Sequence, residues 1–299
     1  MVESQRIIFQ DQIARNKRNS IFLMAGLFSV IILLGFIIGK AMGPSYFTLI
    51  MIVAIIFSIV YIWVGFYNSH KIALTSVNAK LADHIKHRML YHSVESMALS
   101  SGLPMPKVYV MPGAQINAFA TGRDPSHAII CVTEGAIEKL SKQELEGVIA
   151  HEMGHIANYD IRFMTLTAVL VGMVAIISQI FLRSLWFSGG RRNNDKSQAI
   201  FMIIGIVLAI LAPIVTYFVQ MAISRKREYT ADATAVRFQR SPTGLIGALK
   251  KIKQDHIPSK KVSKAVAPLF ISDPLRMSAS GLTSTHPPIE KRIYVLERM

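Results

Sequence analysis

The sequence predicts a mainly α-helical membrane protein, with four transmembrane helices and a cytosolic α+β domain containing a small sheet. Three observations carry this prediction. The 299 residues are 52% hydrophobic and only 17% charged, where an ordinary soluble domain is about 25% charged. Four stretches, 21–39, 46–67, 163–182 and 199–223, contain no charged residue, and each is near the ~20 residues that a bilayer core requires. The formal net charge is +15. That excess suits basic flanks of membrane segments, whereas a nucleic-acid binder this basic would not normally be this apolar. Scarce charge with so much apolar mass also argues against disorder.

The chain begins with a basic arm, 1–20, holding Arg6, Arg15, Lys17 and Arg18. The first apolar stretch reads as an anchor. It is longer than the 7–15 residues usual in a signal peptide, and Gly39-Lys40-Ala41-Met42-Gly43 is a poor cleavage site. Only Lys40 lies in the loop 40–45, so the basic bias of the flanks puts the N-terminus and the block after Tyr67 in the cytosol. Tyr61, Trp63 and Tyr67 fit an interfacial aromatic belt at the end of the second stretch. Pro213 is expected to kink the fourth. The loop 183–196 carries four basic residues and one acid and would lie outside, against the charge rule. Either it is an exception, or stretches three and four form a shallow hairpin that does not fully cross. These features divide the chain into an arm with two membrane helices (1–67), a first polar block (68–161), a membrane hairpin (162–223) and a second polar block (224–299). The single cysteine, Cys131, excludes an intrachain disulfide and agrees with a reducing compartment. Its apolar neighbours make it a small core residue.

In the first polar block, apolar positions recur at helical spacing (Leu74, Val77, Leu81, Ile85, Met89) and predict one helix over 71–100. Gly102, Pro104 and Pro106 end it. Three β-like runs follow at 108–110, 116–120 and 127–132, then two helical patterns. Ser141-Lys142-Gln143-Glu144 opens the second of these as a capping box.

That helix contains His151-Glu152-Met153-Gly154-His155. Residues four apart share a helix face, so both imidazoles reach one ion, while Glu152 can touch a water on it without ligating. A catalytic zinc takes three protein ligands. No histidine continues the motif, because Asn158 stands three residues past His155. Glu228 and Asp232, four apart on a second helical pattern, suggest the third ligand and an acceptor for a ligand's imidazole N–H. The plainer reading of that helix is a solvated surface of mixed charge. If Glu228 joins the two histidines, the intervening chain crosses the membrane zero or two times, which the two intervening apolar stretches satisfy. The site would then sit at the cytosolic membrane surface.

With these residues in view, the chain resembles the HtpX-type membrane zinc endopeptidases, heat-shock-associated quality-control proteases related to the CAAX prenyl endopeptidases. The matching segments are Asn117-Ala118-Phe119-Ala120-Thr121-Gly122, His151 to His155, Ser224 to Asp232, and Ser284-Thr285-His286-Pro287-Pro288-Ile289-Glu290-Lys291-Arg292. The resemblance implies a zincin-like catalytic domain, one zinc per chain and Glu228 as third ligand beside His151 and His155. It further implies that Asn117 and Ala118 lie on an edge strand that pairs with substrate backbone. His286 is a candidate for stabilising the tetrahedral oxyanion, against its reading as a surface-loop histidine. The expected activity is hydrolysis of peptide bonds in misfolded or damaged membrane proteins, with Glu152 as general base and then acid. The expected location is the plasma membrane, in bacteria the inner membrane, with the catalytic domain facing the cytosol. A CAAX-type prenyl-peptide endopeptidase is the alternative among proteases, although those relatives have more apolar segments. A non-catalytic scaffold or transporter is the alternative outside them, and a transporter would place ionisable residues inside the apolar stretches, where there are none.

Residues 224–299 carry fifteen basic and six acidic side chains. This block is expected to lie against anionic lipid, so the bilayer is a partner alongside polypeptide substrates. Nucleic acid is not expected, because no aromatic ring other than His256 interrupts the basic run 250–264.

Overall fold

A computed structural model describes residues 9–42, 44–167, 225–255, 269–271 and 287–299. The chain divides into two compact units, one of Met1–Arg18, Ser69–Thr165 and Ala222–Met299, the other of Asn19–Asn68 and Leu166–Met221. The third apolar stretch beyond residue 167, the whole fourth stretch with Pro213, the loop 183–196, the run 256–264 and His286 lie outside the described residues.

Two long helices, α1 (Phe9–Met42) and α2 (Pro44–Ser76), carry the first two apolar stretches. Within the second unit they approach closely at Gly35, where an added Cβ would collide with that of Ala54. Such small residues are how apolar helices come together without a hydrophobic driving force between them. Among the described residues, one segment is long and apolar enough to cross a membrane, Pro44–Asn68.

The first unit is mostly helical around a four-stranded mixed sheet. Its strands are β1 (Lys80–Leu81), β2 (Lys107–Met111), β3 (Ala118–Gly122) and β4 (Ala128–Thr133), in the order β1-β2-β4-β3. β2 runs parallel to β4, and β3 antiparallel to it with Phe119 opposite Cys131. Side chains alternate between the sheet's faces, and both faces are buried. Val108, Val110, Ala118, Ala120, Ile130 and Val132 join one core cluster. Phe119, Ile129 and Cys131 join the other, with Ala73 and Leu74 from the end of α2 and Val77 just past it. Cys131 is fully buried, which drives its thiol pKa far up.

The single helix expected over 71–100 is broken. α2 stops at Ser76, β1 intervenes, and α3 spans Arg88–Ser101. Asn78 adopts a left-handed φ of 52°, and Asp83 Oδ1 accepts hydrogen bonds from the Ile85 and Lys86 amides at 2.8 and 2.7 Å. Both residues favour turn over helix by local side-chain chemistry, and that chemistry overrides the apolar spacing.

After a short α4 (Glu134–Lys139), α5 (Lys142–Ala157) opens with a complete capping box between Ser141 and Glu144. It packs against α6 (Arg225–Gln239) and α7 (Thr243–Gln254), and α7 packs in turn on α8 (Ile289–Leu296). Gly147 of α5 lies directly on the backbone of Gly244 and Leu245. Gly147→Ala would force these helices apart, and an expected destabilisation of about 1–3 kcal/mol should show as a lower melting temperature.

Candidate metal centre and active site

The HEMGH segment lies in the last two turns of α5, with His151, Glu152 and His155 at 0%, 1% and 4% exposure. α6 comes close at Gly154, where a Cβ would press on the Ala231 carbonyl. This approach delivers Glu228 and Asp232, one turn apart and both buried, to the histidine face of α5. Imidazole nitrogens of His151 and His155 and a carboxylate oxygen of Glu228 all fall within 4.8 Å of one another. Glu228 Oε2 is 3.7 Å from His151 Nε2, and Oε1 is 3.5 Å from His155 Nε2. Ligands about 2.1 Å from a tetrahedral zinc stand roughly 3.4 Å apart, so Glu228 already stands at close to ligand spacing from each histidine.

Each imidazole is held from behind through Nδ1. For His151 the partner is Asp232 Oδ1 at 2.9 Å, leaving Nε2 to face Glu228. Arg292 of α8, fully buried, donates to both Asp232 oxygens at 2.9 and 2.6 Å and to the Ile271 carbonyl at 3.3 Å. Its Nη1 is 3.5 Å from Glu228 Oε2. For His155 the partner is Asp160 Oδ2 at 3.1 Å. After α5 ends at Ala157, Tyr159 takes a left-handed φ of 59° and the chain turns into a helical run, 160–167, whose first residue is Asp160. That turn swings Asp160 back beneath His155. Arg227 Nε lies 3.3 Å from Asp160 Oδ1, and the guanidinium stacks on the Phe163 ring at 4.5 Å.

Charge separates the two histidines. Burial and the neighbouring Arg292 lower the His151 pKa. For His155 burial also opposes the charged form, but Asp160 and Glu228 outweigh it and hold the pKa well above its ordinary value. A histidine ligates a metal only as the neutral imidazole, so any proton held on His155 must leave as the site is loaded. Burial pushes Glu152 up to about 7. Neither of its oxygens accepts a well-formed hydrogen bond, although the Ala120 amide lies near enough to favour its ionised form. Among the described residues, Glu152, Asp160, Glu228 and Asp232 are buried beside Arg227 and Arg292. With neutral histidines and all four carboxylates ionised, four negative charges against two guanidiniums leave two, equal and opposite to a divalent cation. Donor spacing, charge and an unsatisfied buried carboxylate all fit a metal ion.

The structure therefore brings together His151, Glu152, His155, Glu228 and Asp232. Ala118 opens β3, an edge of the sheet, and Asn117 immediately precedes it. The edge is not open at that point. Ile271 N donates to the Ala118 carbonyl at 2.9 Å, and Phe270 bridges antiparallel to Phe119. Asn117 turns its side chain inward, its Oδ1 accepting from the Ala118 amide at 3.0 Å. Sequence reasoning missed Asp160, Arg227 and Arg292. Arg292 stands in the matched C-terminal segment, whereas Asp160 follows His155 at a spacing that an unbroken helix would aim elsewhere.

Known proteins resemble this chain in sequence. The profile of Peptidase family M48 matches residues 84–299. A "Protease HtpX homolog" of Caldanaerobacter subterraneus subsp. tengcongensis is 48% identical over 248 residues, covering 82% of this chain and 83% of the relative. Another of that name from Ligilactobacillus salivarius is 40% identical over 293 residues, covering 96% and 99%. Among solved structures, S. mikatae Ste24p aligns at 20% identity and a TM-score of 0.46, spanning 95% of this chain and 66% of that one.

Proposed function

Because the chain belongs to peptidase family M48 and is a membrane metalloendopeptidase, we propose that it hydrolyses peptide bonds of misfolded or damaged membrane proteins at a zinc centre formed by His151, His155 and Glu228. The observation that carries the zinc reading is the convergence of those three buried groups at metal-ligand spacing. When bound, zinc polarises the scissile carbonyl and brings the pKa of a water toward ~7.

The protein's own residues supply the rest. Asp232 and Asp160 hold the Nδ1 protons of the two imidazoles, fixing the tautomer that leaves each Nε2 free to ligate. Glu152 lies beside the ligands without belonging to the converging set. Its unsatisfied carboxylate takes the proton of the attacking water and returns it to the departing amine, as general base and then acid. Main-chain pairing at β3 supplies sequence-tolerant affinity for an extended segment, as an enzyme acting on many misfolded chains requires. A substrate strand that pairs at Ala118 first displaces Ile271. The catalytic unit faces the cytosol at the plasma membrane, consistent with a buried reduced Cys131.

Purified full-length protein is expected to carry one zinc per chain and to cleave a casein-type substrate. Chelation should abolish cleavage and stoichiometric zinc restore it. Full activity in metal-free protein would overturn this reading.

A further inference from the structure

The two imidazoles are braced from different parts of the chain. Behind His151 stand Asp232 and Arg292, both from the second polar block. Behind His155 stands Asp160, and Asp160 is held by a residue 144 positions earlier. Asn16 belongs to the N-terminal arm, ahead of the first apolar stretch, and is 3% exposed. Its Nδ2 donates to Asp160 Oδ1 at 2.7 Å and to the Asn158 main-chain carbonyl at 2.9 Å. Its Oδ1 accepts from Arg227 Nη2 at 3.1 Å.

We propose that Asn16 is a positioning residue of the metal centre, locking the turn 158–160 and the Asp160 carboxylate so that His155 is held in ligating orientation. The inference rests on the zinc reading above. Its chemistry is specific to an amide. Only a side chain with two donors and an acceptor on one short stem can bridge a carboxylate, a carbonyl and a guanidinium together. A carboxylate at position 16 would face Asp160 with like charge, and alanine would leave Asp160 Oδ1 and the Asn158 carbonyl short of a donor.

The turn itself needs holding. A left-handed non-glycine residue costs roughly 1–2 kcal/mol, and Tyr159 occupies that conformation. The arm grips both sides of it, Asn16 through the Asn158 carbonyl and Lys17 through its ammonium, 4.2 Å from the Tyr159 ring centre. Without that grip, Asp160 can move from beneath His155, and the imidazole loses the partner that sets its tautomer and direction. The arm is thus part of the metal centre as well as the lead into an anchor.

The test uses the full-length protein in detergent, with zinc affinity read by competition against a chelating dye and the melting temperature of the metal-free form read beside it. Loss of an outer partner of a metal ligand lowers metal affinity by about 10–100-fold, the range expected for Asp160→Asn. Asn16→Ala, one bond further out, should weaken zinc binding by roughly tenfold or less but measurably. Combined with Asp160→Asn it should add little, because both changes remove one interaction. Asn16→Asp keeps the size and the acceptor for Arg227 while removing both donors. It should weaken zinc at least as much as alanine, and it carries the test if the alanine variant does not fold. Unchanged zinc affinity with an earlier metal-free melt would reduce Asn16 to a support of the fold and overturn the proposal. Fully multiplicative losses in the double variant would overturn it as well. Wild-type protein that takes up no zinc would instead overturn the metal reading and this inference with it.

Discussion

Glu152→Gln is expected to slow peptide hydrolysis by about 10²–10⁴-fold while leaving one zinc per chain in place. The amide has the shape of the carboxyl but cannot accept the water's proton. Nothing structural is lost, because neither Glu152 oxygen makes a well-formed hydrogen bond and the three converging ligand atoms come from other residues. Glu228→Ala should fail in the opposite way, losing zinc first and activity in consequence. Measuring zinc content and casein cleavage on both variants separates the two roles. A Glu152→Gln enzyme that still cleaves at the wild-type rate would remove Glu152 from the chemistry, and a Glu228→Ala protein with full zinc would remove Glu228 from the ligand set.

The same exchange has a stability signature in metal-free protein. Burial raises the Glu152 pKa from 4.5 to about 7, so between these values the folded state keeps a proton that the unfolded chain has lost. Stability from this group is complete below pH ~4.5 and declines as pH rises through ~7. Glutamine does not titrate. Metal-free Glu152→Gln should therefore match the wild type in melting temperature near pH 4.5 and exceed it increasingly up to about pH 8. A gap that does not change with pH would mean that Glu152 is not buried as a strained carboxyl. A binding site that destabilises its own empty fold is a common cost of activity.

What could be read from the sequence was local. The capping box at Ser141 and Glu144, the histidine pair on one helix face, and Glu228 with Asp232 one turn apart all depend on separations of three or four residues. Such separations fix geometry once a helix forms. The break after Ser76 is local too, but Asn78 and Asp83 speak through side-chain hydrogen bonds that apolar periodicity does not register. The remainder of the site is tertiary. Arg292 meets Asp232 across 60 positions and Arg227 meets Asn16 across 211. No spacing rule reaches so far, and an arginine in sequence is presumed to face solvent. These basic residues also qualify the reading of the +15 charge. Arg227 and Arg292 belong to the basic C-terminal block, yet both are buried in the metal site, so their charge serves carboxylates instead of lipid headgroups.

Arg292→Met is expected to give the largest loss of stability, about 3–5 kcal/mol, because it strands a buried anion. Asp232 is 0% exposed. Burial alone would raise its pKa, but Arg292 and His151 overcome that and hold it below the ordinary value. Stability from this group is therefore present above the unfolded carboxylate pKa of about 4 and is lost as pH falls below it. The deficit of Arg292→Met should be full at neutral pH and shrink on acidification. Arg292→Lys should recover only part, because one ammonium cannot donate to both Asp232 oxygens and the Ile271 carbonyl as the planar guanidinium does. Pairing Arg292→Met with Asp232→Asn removes the stranded charge and should return much of the stability. It should not return zinc affinity, since a neutral amide at position 232 no longer makes His151 the stronger base that its carboxylate partner does. Recovery of both together would mean that the Arg292–Asp232 pair serves the fold alone. Recovery of stability without zinc affinity is the outcome expected when the fold tolerates a neutral core and the metal centre does not.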